Sequence, residues 1–180
     1  MAARAGGLLA SLTFVAAVGF GSGCSSSSND STTTSTSSPG GATTFELTGT
    51  YVQPAVTPED IQLQPDGKTA TFTVHSGTAW HGDLEGDTEF VMEGVNDVAT
   101  TANSGTIDET FTGTVAGVGE GHLHLSETFT VDPAGIIVIE ATVLDGDADL
   151  EGLQGTMHFE GTSIPATGEG DGTYSASFTR

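Results

Sequence analysis

The stretch "TIDETFTGTVAGVGEGHLHLSETFTV", residues 106–131, decides how the chain folds. Its first ten residues place Ile107, Glu109, Phe111 and Val115 on one side of an extended chain and Thr106, Asp108, Thr110, Thr112 and Thr114 on the other. Its last ten set Leu123, Leu125, Glu127, Phe129 and Val131 against His122, His124, Ser126, Thr128 and Thr130. A period of two is the spacing of a strand with one buried face, and the glycine-rich link between the halves reads as a hairpin turn.

The same alternation runs outward in both directions. In "TATFTVHSGTAWH" (69–81), Ala70, Phe72, Val74, Ser76, Thr78 and Trp80 share a face, and in the last segment Tyr174, Ala176 and Phe178 do. Eight strands are expected, near 44–52, 69–81, 87–95, 105–115, 120–131, 136–144, 153–161 and 172–179. Each has one oily side, and from Phe45 onward no helical period is present to cover it. Closing the sheet on itself is the simplest solution, so an all-β, eight-stranded antiparallel up-and-down β-barrel is expected. A β-sandwich of the same strand count is the alternative. A membrane barrel would need an outward oily face with aromatic girdles, for which two Tyr and one Trp are few. The tetrapeptide "DLEG" occurs at 83–86 and again at 149–152, and each copy reads as a tight connection whose Leu plugs a barrel end.

Ahead of the barrel, "MAARAGGLLASLTFVAAVGFGSGC" carries one Arg, an apolar run from Leu8 to Phe20, and small residues up to Cys24. The run is too short to cross a bilayer and reads as a signal peptide over 1–23. "GSGC" resembles the bacterial lipobox, with Gly21 where that motif usually has an aliphatic residue, which implies that Cys24 is lipidated. Cys24 is the only cysteine, so no internal disulfide competes for it. The Ser/Thr-rich segment that follows cannot bury enough surface to order itself, so 24–43 is expected as a tether and 44–180 as the folded domain. An exported protein, facing outside the cytoplasm and touching a membrane only through its lipid, is the expected setting.

Asp and Glu total 24 against three Lys and Arg, a formal net charge of −21. Such a surface repels phosphate backbones, which argues against nucleic acid as a partner. The acids are scattered singly, as on a solvated surface or one adapted to high salt, and are not gathered into a tail.

"GDLEG" (82–86), "FTGTVAGVGEG" (111–121), "LEGLQGTMHF" (150–159) and "GTYSASF" (172–178) resemble, in order and spacing, the bacterial domain of unknown function 3224 family, grouped with allene oxide cyclase-like barrels. The resemblance implies an eight-stranded barrel with an apolar interior cavity. Allene oxide cyclases use such cavities to cyclise reactive hydrophobic molecules, and none of their catalytic residues can be matched to positions here.

Two acids interrupt oily faces, Glu109 between Ile107 and Phe111, and Glu127 between Leu125 and Phe129. With a five-residue hairpin loop they face one another directly, and with three they become diagonal neighbours, within about 8 Å either way. Two carboxyls in an apolar cavity do not both ionise, so one can donate a proton while the other accepts. The bland alternative is that a bulge turns them to solvent. The expected partner is a small hydrophobic molecule lined by Phe72, Trp80, Phe90, Met92, Phe111, Leu125, Phe129, Phe159 and Tyr174. An isomerase or cyclase using Glu109 and Glu127 is the second reading, and a barrel filled by its own side chains, serving as an interaction module, is the third. No metal or cofactor is expected. His122 and His124 project together but lack a third ligand of matching parity, and "DGDADLEG" (145–152) breaks the calcium-loop pattern at Leu150 and Thr156.

Overall fold

The alternating segments all become strands in the computed structural model, which describes residues 34–36 and 41–180. The expected signal peptide and Cys24 lie outside the described residues. In chain order the strands are β1 (Thr34–Thr36), β2 (Thr44–Gln53), β3 (Glu59–Leu63), β4 (Thr69–Ser76), β5 (Ala79–Gly82), β6 (Leu84–Asp97), β7 (Asn103–Val115), β8 (Gly119–Val131), β9 (Ile136–Gly146), β10 (Gln154–Ser163) and β11 (Gly170–Thr179). One 3-10 turn, Ala148–Leu150, lies between β9 and β10.

Every pairing is antiparallel, and the order β2-β11-β10-β9-β8-β7-β6 is closed by β5, which pairs with both β6 and β2. The ring has eight members because β4 and β5 act as one strand: Ser76↔Phe90 and Ala79↔Asp87 keep one register across the kink at Gly77 and Thr78. A single closed ring rules out the sandwich. Two short strands had no expectation. β3 hangs on the outer edge of β4, and β1, inside the segment expected as tether, pairs with Thr44–Glu46 of β2. β3 is exposed along its whole length and has no buried face to set a period, which is why alternation did not reveal it.

Closure depends on a short seam, Gly49↔Gly82 through Val52↔Ala79. Tyr174, paired with Gly49, lays its ring across that glycine so that its hydroxyl reaches the strands beyond. The Leu84 N–H donates to Tyr174 Oη at 2.8 Å, and the hydroxyl donates to the Leu84 carbonyl at 3.1 Å. A Cβ on Gly49 would stand 2.2 Å from both the His81 carbonyl oxygen and Tyr174 Oη, so only glycine fits there.

The two ends of the barrel differ. At the end holding the hairpin 116–118 and the 3-10 turn, both "DLEG" leucines are inside, Leu84 and Leu150 each 0 % exposed. The first copy is a turn only at Asp83, whose Oδ2 accepts from the Thr48 N–H at 2.8 Å, while Leu84 already belongs to β6. Behind these leucines an aromatic stack fills the lumen: Trp80 lies on Phe111 with centroids 5.1 Å apart, and Phe159 and Tyr174 lean on Trp80 at 5.4 and 5.8 Å. The opposite end holds a smaller cluster, Val74, Phe90, Ile107 and Phe129. Outward positions carry Thr, Ser, His and acids, for example Asp108, Thr110, Thr112 and Glu140.

Replacing Tyr174 with Phe is expected to cost about 1–3 kcal/mol, because it strands a buried backbone donor at the seam. Gly49→Ala should cost a similar amount through overpacking, about 1–3 kcal/mol. Urea denaturation measures both, and unchanged midpoints would show that the seam does not depend on this tyrosine lying across this glycine.

Candidate functional site

The smaller cluster is the floor of a cavity of about 320 Å³ that opens at the unplugged end of the barrel. Closure there is incomplete: the chain leaves β2 at Gln53 to form β3, so β4 meets β3 where a complete ring would offer it β2. Val74, Phe72, Met92, Phe129 and Ile139 supply inward positions from four strands, and Val56, Pro58, Pro165 and Ala166 supply walls from connections. The Gln53 amide donates to the Gly168 carbonyl at 2.7 Å and the Val56 N–H to the Thr167 carbonyl at 2.9 Å, tying the two wall segments together.

Of the nine residues expected to line a site, Phe72, Met92 and Phe129 line this cavity. Trp80, Phe111, Leu125, Phe159 and Tyr174 pack on one another in the filled half, and Phe90 lies in the floor cluster without lining the cavity. Parity places all nine inside the barrel. It says nothing about which inward residues meet one another and which face open space.

Glu109 and Glu127 keep the inward face, 4 % and 3 % exposed. The hairpin loop is the three-residue one: Val115 pairs with Gly119, so Glu109 lies opposite Leu125 and Glu127 opposite Ile107, making the acids diagonal neighbours. They separate the apolar clusters, since Phe111 and Leu125 belong to the filled half and Ile107 and Phe129 to the floor. Glu127 and the Thr88 hydroxyl both donate to the Glu109 carboxylate. Thr88 is free to do so because its Oγ1 accepts from the Thr78 N–H at 3.0 Å.

Burial raises Glu109 above the ordinary carboxyl value, partly offset by those two donors. Burial raises Glu127 well above that value, and the charge on Glu109 raises it further. Glu127 is therefore the proton holder and Glu109 the acceptor. Two oxygens here are buried without a hydrogen-bond partner among the described residues, Glu127 Oε1 and Tyr51 Oη. Tyr51 stays a neutral phenol, pushed up to about 12 by burial first and then by Asp171 and Glu127. Thr88 and Tyr51 were not anticipated as members of this layer. Thr88 was discoverable, because it is the hydroxyl at an inward position of β6 between Gly86 and Phe90.

The five histidines face outward, and four of them, His81, His122, His124 and His158, pair with acids. His122 Nδ1 lies 3.0 Å from Asp147, His124 Nε2 3.0 Å from Asp108, and His158 Nδ1 2.7 Å from Glu140. Asp149 lies at the plugged end, where its carbonyl accepts from Arg180 at 2.9 Å.

For an acid raised on folding, the folded state holds a proton that the unfolded chain has already released. Stability is then full below the ordinary value of 4.5 and is lost as pH rises above it. The exposed carboxylates that are lowered, Asp66, Glu85, Asp97 and Asp147, act below this window. Glu127→Gln is expected to flatten the decline of wild-type stability between pH 5 and 8, by up to about 1.4 kcal/mol per pH unit for each proton difference. Denaturation midpoints across that range test this, and parallel wild-type and variant profiles would contradict it.

No protein-family model matches the chain, and no curated protein matches it in sequence. Among solved structures it is similar to a protein of unknown function from the DUF3224 family of Shewanella oneidensis MR-1, with a TM-score of 0.58 and 20 % identity. The likeness covers 75 % of this chain and 96 % of that one, and at this identity it concerns the fold. The chain thus has the barrel fold of the domain of unknown function 3224 protein to which it is similar, in line with the family resemblance in its glycine-rich motifs.

Proposed function

We propose that the barrel binds a small hydrophobic molecule in the cavity at its open end, on a chain carried out of the cytoplasm and held at a membrane by a lipid on Cys24. The observation that carries the binding reading is the contrast between the two ends, one sealed by Leu84, Leu150 and the aromatic stack, the other open onto about 320 Å³ of largely apolar space. That volume is at the lower bound for small-molecule sites, about 300 Å³. The mouth supports the reading too. Ile61 lines it, and Val52, Leu63, Val98, Ile136 and Ile164 are exposed on segments at the same end of the barrel. Exposed apolar side chains on a highly charged surface favour contact with apolar molecules.

Isomerisation or cyclisation by Glu109 and Glu127 is the second reading, favoured by their burial and by the raised proton affinity of Glu127. Neither acid lines the cavity, so a molecule held there by Phe72, Met92 and Phe129 touches neither carboxyl, and binding takes precedence over turnover.

The test uses an uncharged apolar dye, N-phenyl-1-naphthylamine, whose emission rises on leaving water. Wild-type protein is expected to bind it saturably. Val74→Trp, which fills the floor with an indole, should weaken binding at least tenfold while the folded spectrum is retained. No saturable signal in the wild type, or equal binding by the variant, would remove the cavity as the site. For the anchor, Cys24→Ser should shift the protein expressed in a bacterial host from the membrane to the soluble fraction and end palmitate incorporation. A membrane-bound, labelled variant would exclude Cys24 as the lipidated residue.

A further inference from the structure

Resting on the binding reading above, the geometry points to the class of ligand: we propose that the cavity takes an amphiphile with a cationic, amine-type head and rejects carboxylate amphiphiles of the same length. No Lys or Arg lines the cavity, and its own polar side chains, apart from Asp132, are the uncharged Gln53, Thr71, Asn96, Thr101, Asn103, Ser163 and Thr167. The two bases among the described residues lie elsewhere. Arg180 is engaged with Asp149 at the plugged end, and Lys68, exposed on the β3–β4 turn at the open end with its carbonyl accepting from the Val98 N–H, does not line the cavity. Nothing in the site offers an anionic head a counter-charge.

The negative groups are placed the other way. Asp132 lines the wall, and its Oδ1 accepts from the Ala134 and Ile136 N–H groups at 2.8 and 2.9 Å, which keeps a carboxylate fixed at the mouth. Beneath the floor, one continuous row of strand pairs runs Val74↔Met92↔Ile107↔Glu127↔Ala141. Val74 and Met92 line the cavity, so Ile107 alone stands between the lining and Glu127 along the row. Two strand spacings set Glu127 about 10 Å from Met92. On its other side stands Ala141. Glu127 Oε1 and Tyr51 Oη, both buried and without hydrogen-bond partners among the described residues, are acceptors with unused capacity in this layer.

Burial raises both acids, while donation from Glu127 and Thr88 favours the carboxylate form at Glu109, the diagonal neighbour of Met92 across the β6–β7 pair. At about 8 Å through a protein interior such a charge is worth roughly tenfold in affinity, favourable to a cation and unfavourable to an anion. Loss of hydration is the same for each head in the wild type and in a variant lacking both acids, so the change in the amine-to-carboxylate ratio between the two proteins isolates the field of the acids.

The experiment displaces N-phenyl-1-naphthylamine with decylamine or decanoate at pH 7 in 1 M NaCl, where a screening length of about 3 Å silences the exposed acids but not the buried pair. Wild-type protein is expected to release the dye at concentrations at least tenfold lower for decylamine. In the near-isosteric double variant E109Q/E127Q the two should come within about threefold. Equal potency, or stronger displacement by decanoate, overturns the proposal while leaving the cavity as a binding site. A wild-type ratio that persists unchanged in the folded double variant overturns the part assigned to the acids. If the dye itself fails to bind, the cavity reading falls and takes this inference with it. The wild-type ratio decides the sign whatever the stability of the variant.

Discussion

The structure depends on one contact, the passage of Tyr174 over Gly49 to the backbone of Leu84. A sheet of this length has two edges, each a row of unpaired N–H and C=O groups, and closure is the only arrangement that removes both. Here the closing strand is four residues long, too short to hold the ring by its own ladder. A tyrosine from β11 crosses β2 and satisfies the Leu84 N–H and C=O at the start of β6, so one side chain ties the two sides of the seam together. The glycines at 49 and 82 exist so that this ring can lie flat against the wall. Tyr51 repeats the device one strand pair further along, lying over Gly172 with its hydroxyl above Gly161, but its hydroxyl meets no partner among the described residues.

That difference between two tyrosines follows the division of the lumen. Where Tyr174 closes the seam, the interior is packed solid by Trp80, Phe111 and Phe159, and polar groups are paired. Beyond Tyr51 the ring opens because β4 turns to β3, the side chains thin out, and space appears. The acid layer lies at this boundary. A buried carboxyl pair costs stability against an apolar pair of the same size, since desolvation is only partly recovered by the hydrogen bonds it makes. Glu109 and Glu127 recover part of it by sharing a proton and drawing on Thr88. Retention of a costly pair at the base of a cavity, beside a half packed mainly by apolar side chains, is what makes the layer a functional candidate.

The charge of the molecule acts on the same site from outside. With 24 acids and three bases, the outer wall draws its positive partners chiefly from histidine, and His81, His122, His124 and His158 each sit within ion-pair distance of an acid. His158 is raised by Glu140 first and Glu160 second, so the pairing favours its protonated form. This surface keeps the barrel well hydrated, with Ile61, Leu63 and Ile164 among its exposed apolar side chains at the open end.

The sequence by itself determined which side of every long strand faces inward, because a period of two is a local property and a single misplaced residue would bury the hydroxyls. It set Glu109 and Glu127 at inward positions while leaving open a bulge that would turn them to solvent, and the structure keeps both acids, with Leu84 and Leu150, in the interior. Tertiary structure decided the rest. A hairpin of three residues, not five, set the acids diagonally, a choice made by the turn at 116–118 that alternation permits but does not select. Which aromatics pack together and which line a cavity depends on where the ring opens, and that is set by the departure of β2 into β3, whose exposed residues carry no periodic signal. The walls at Val56, Pro58 and Pro165 come from connections, where backbone geometry and long-range hydrogen bonds act and side-chain spacing does not.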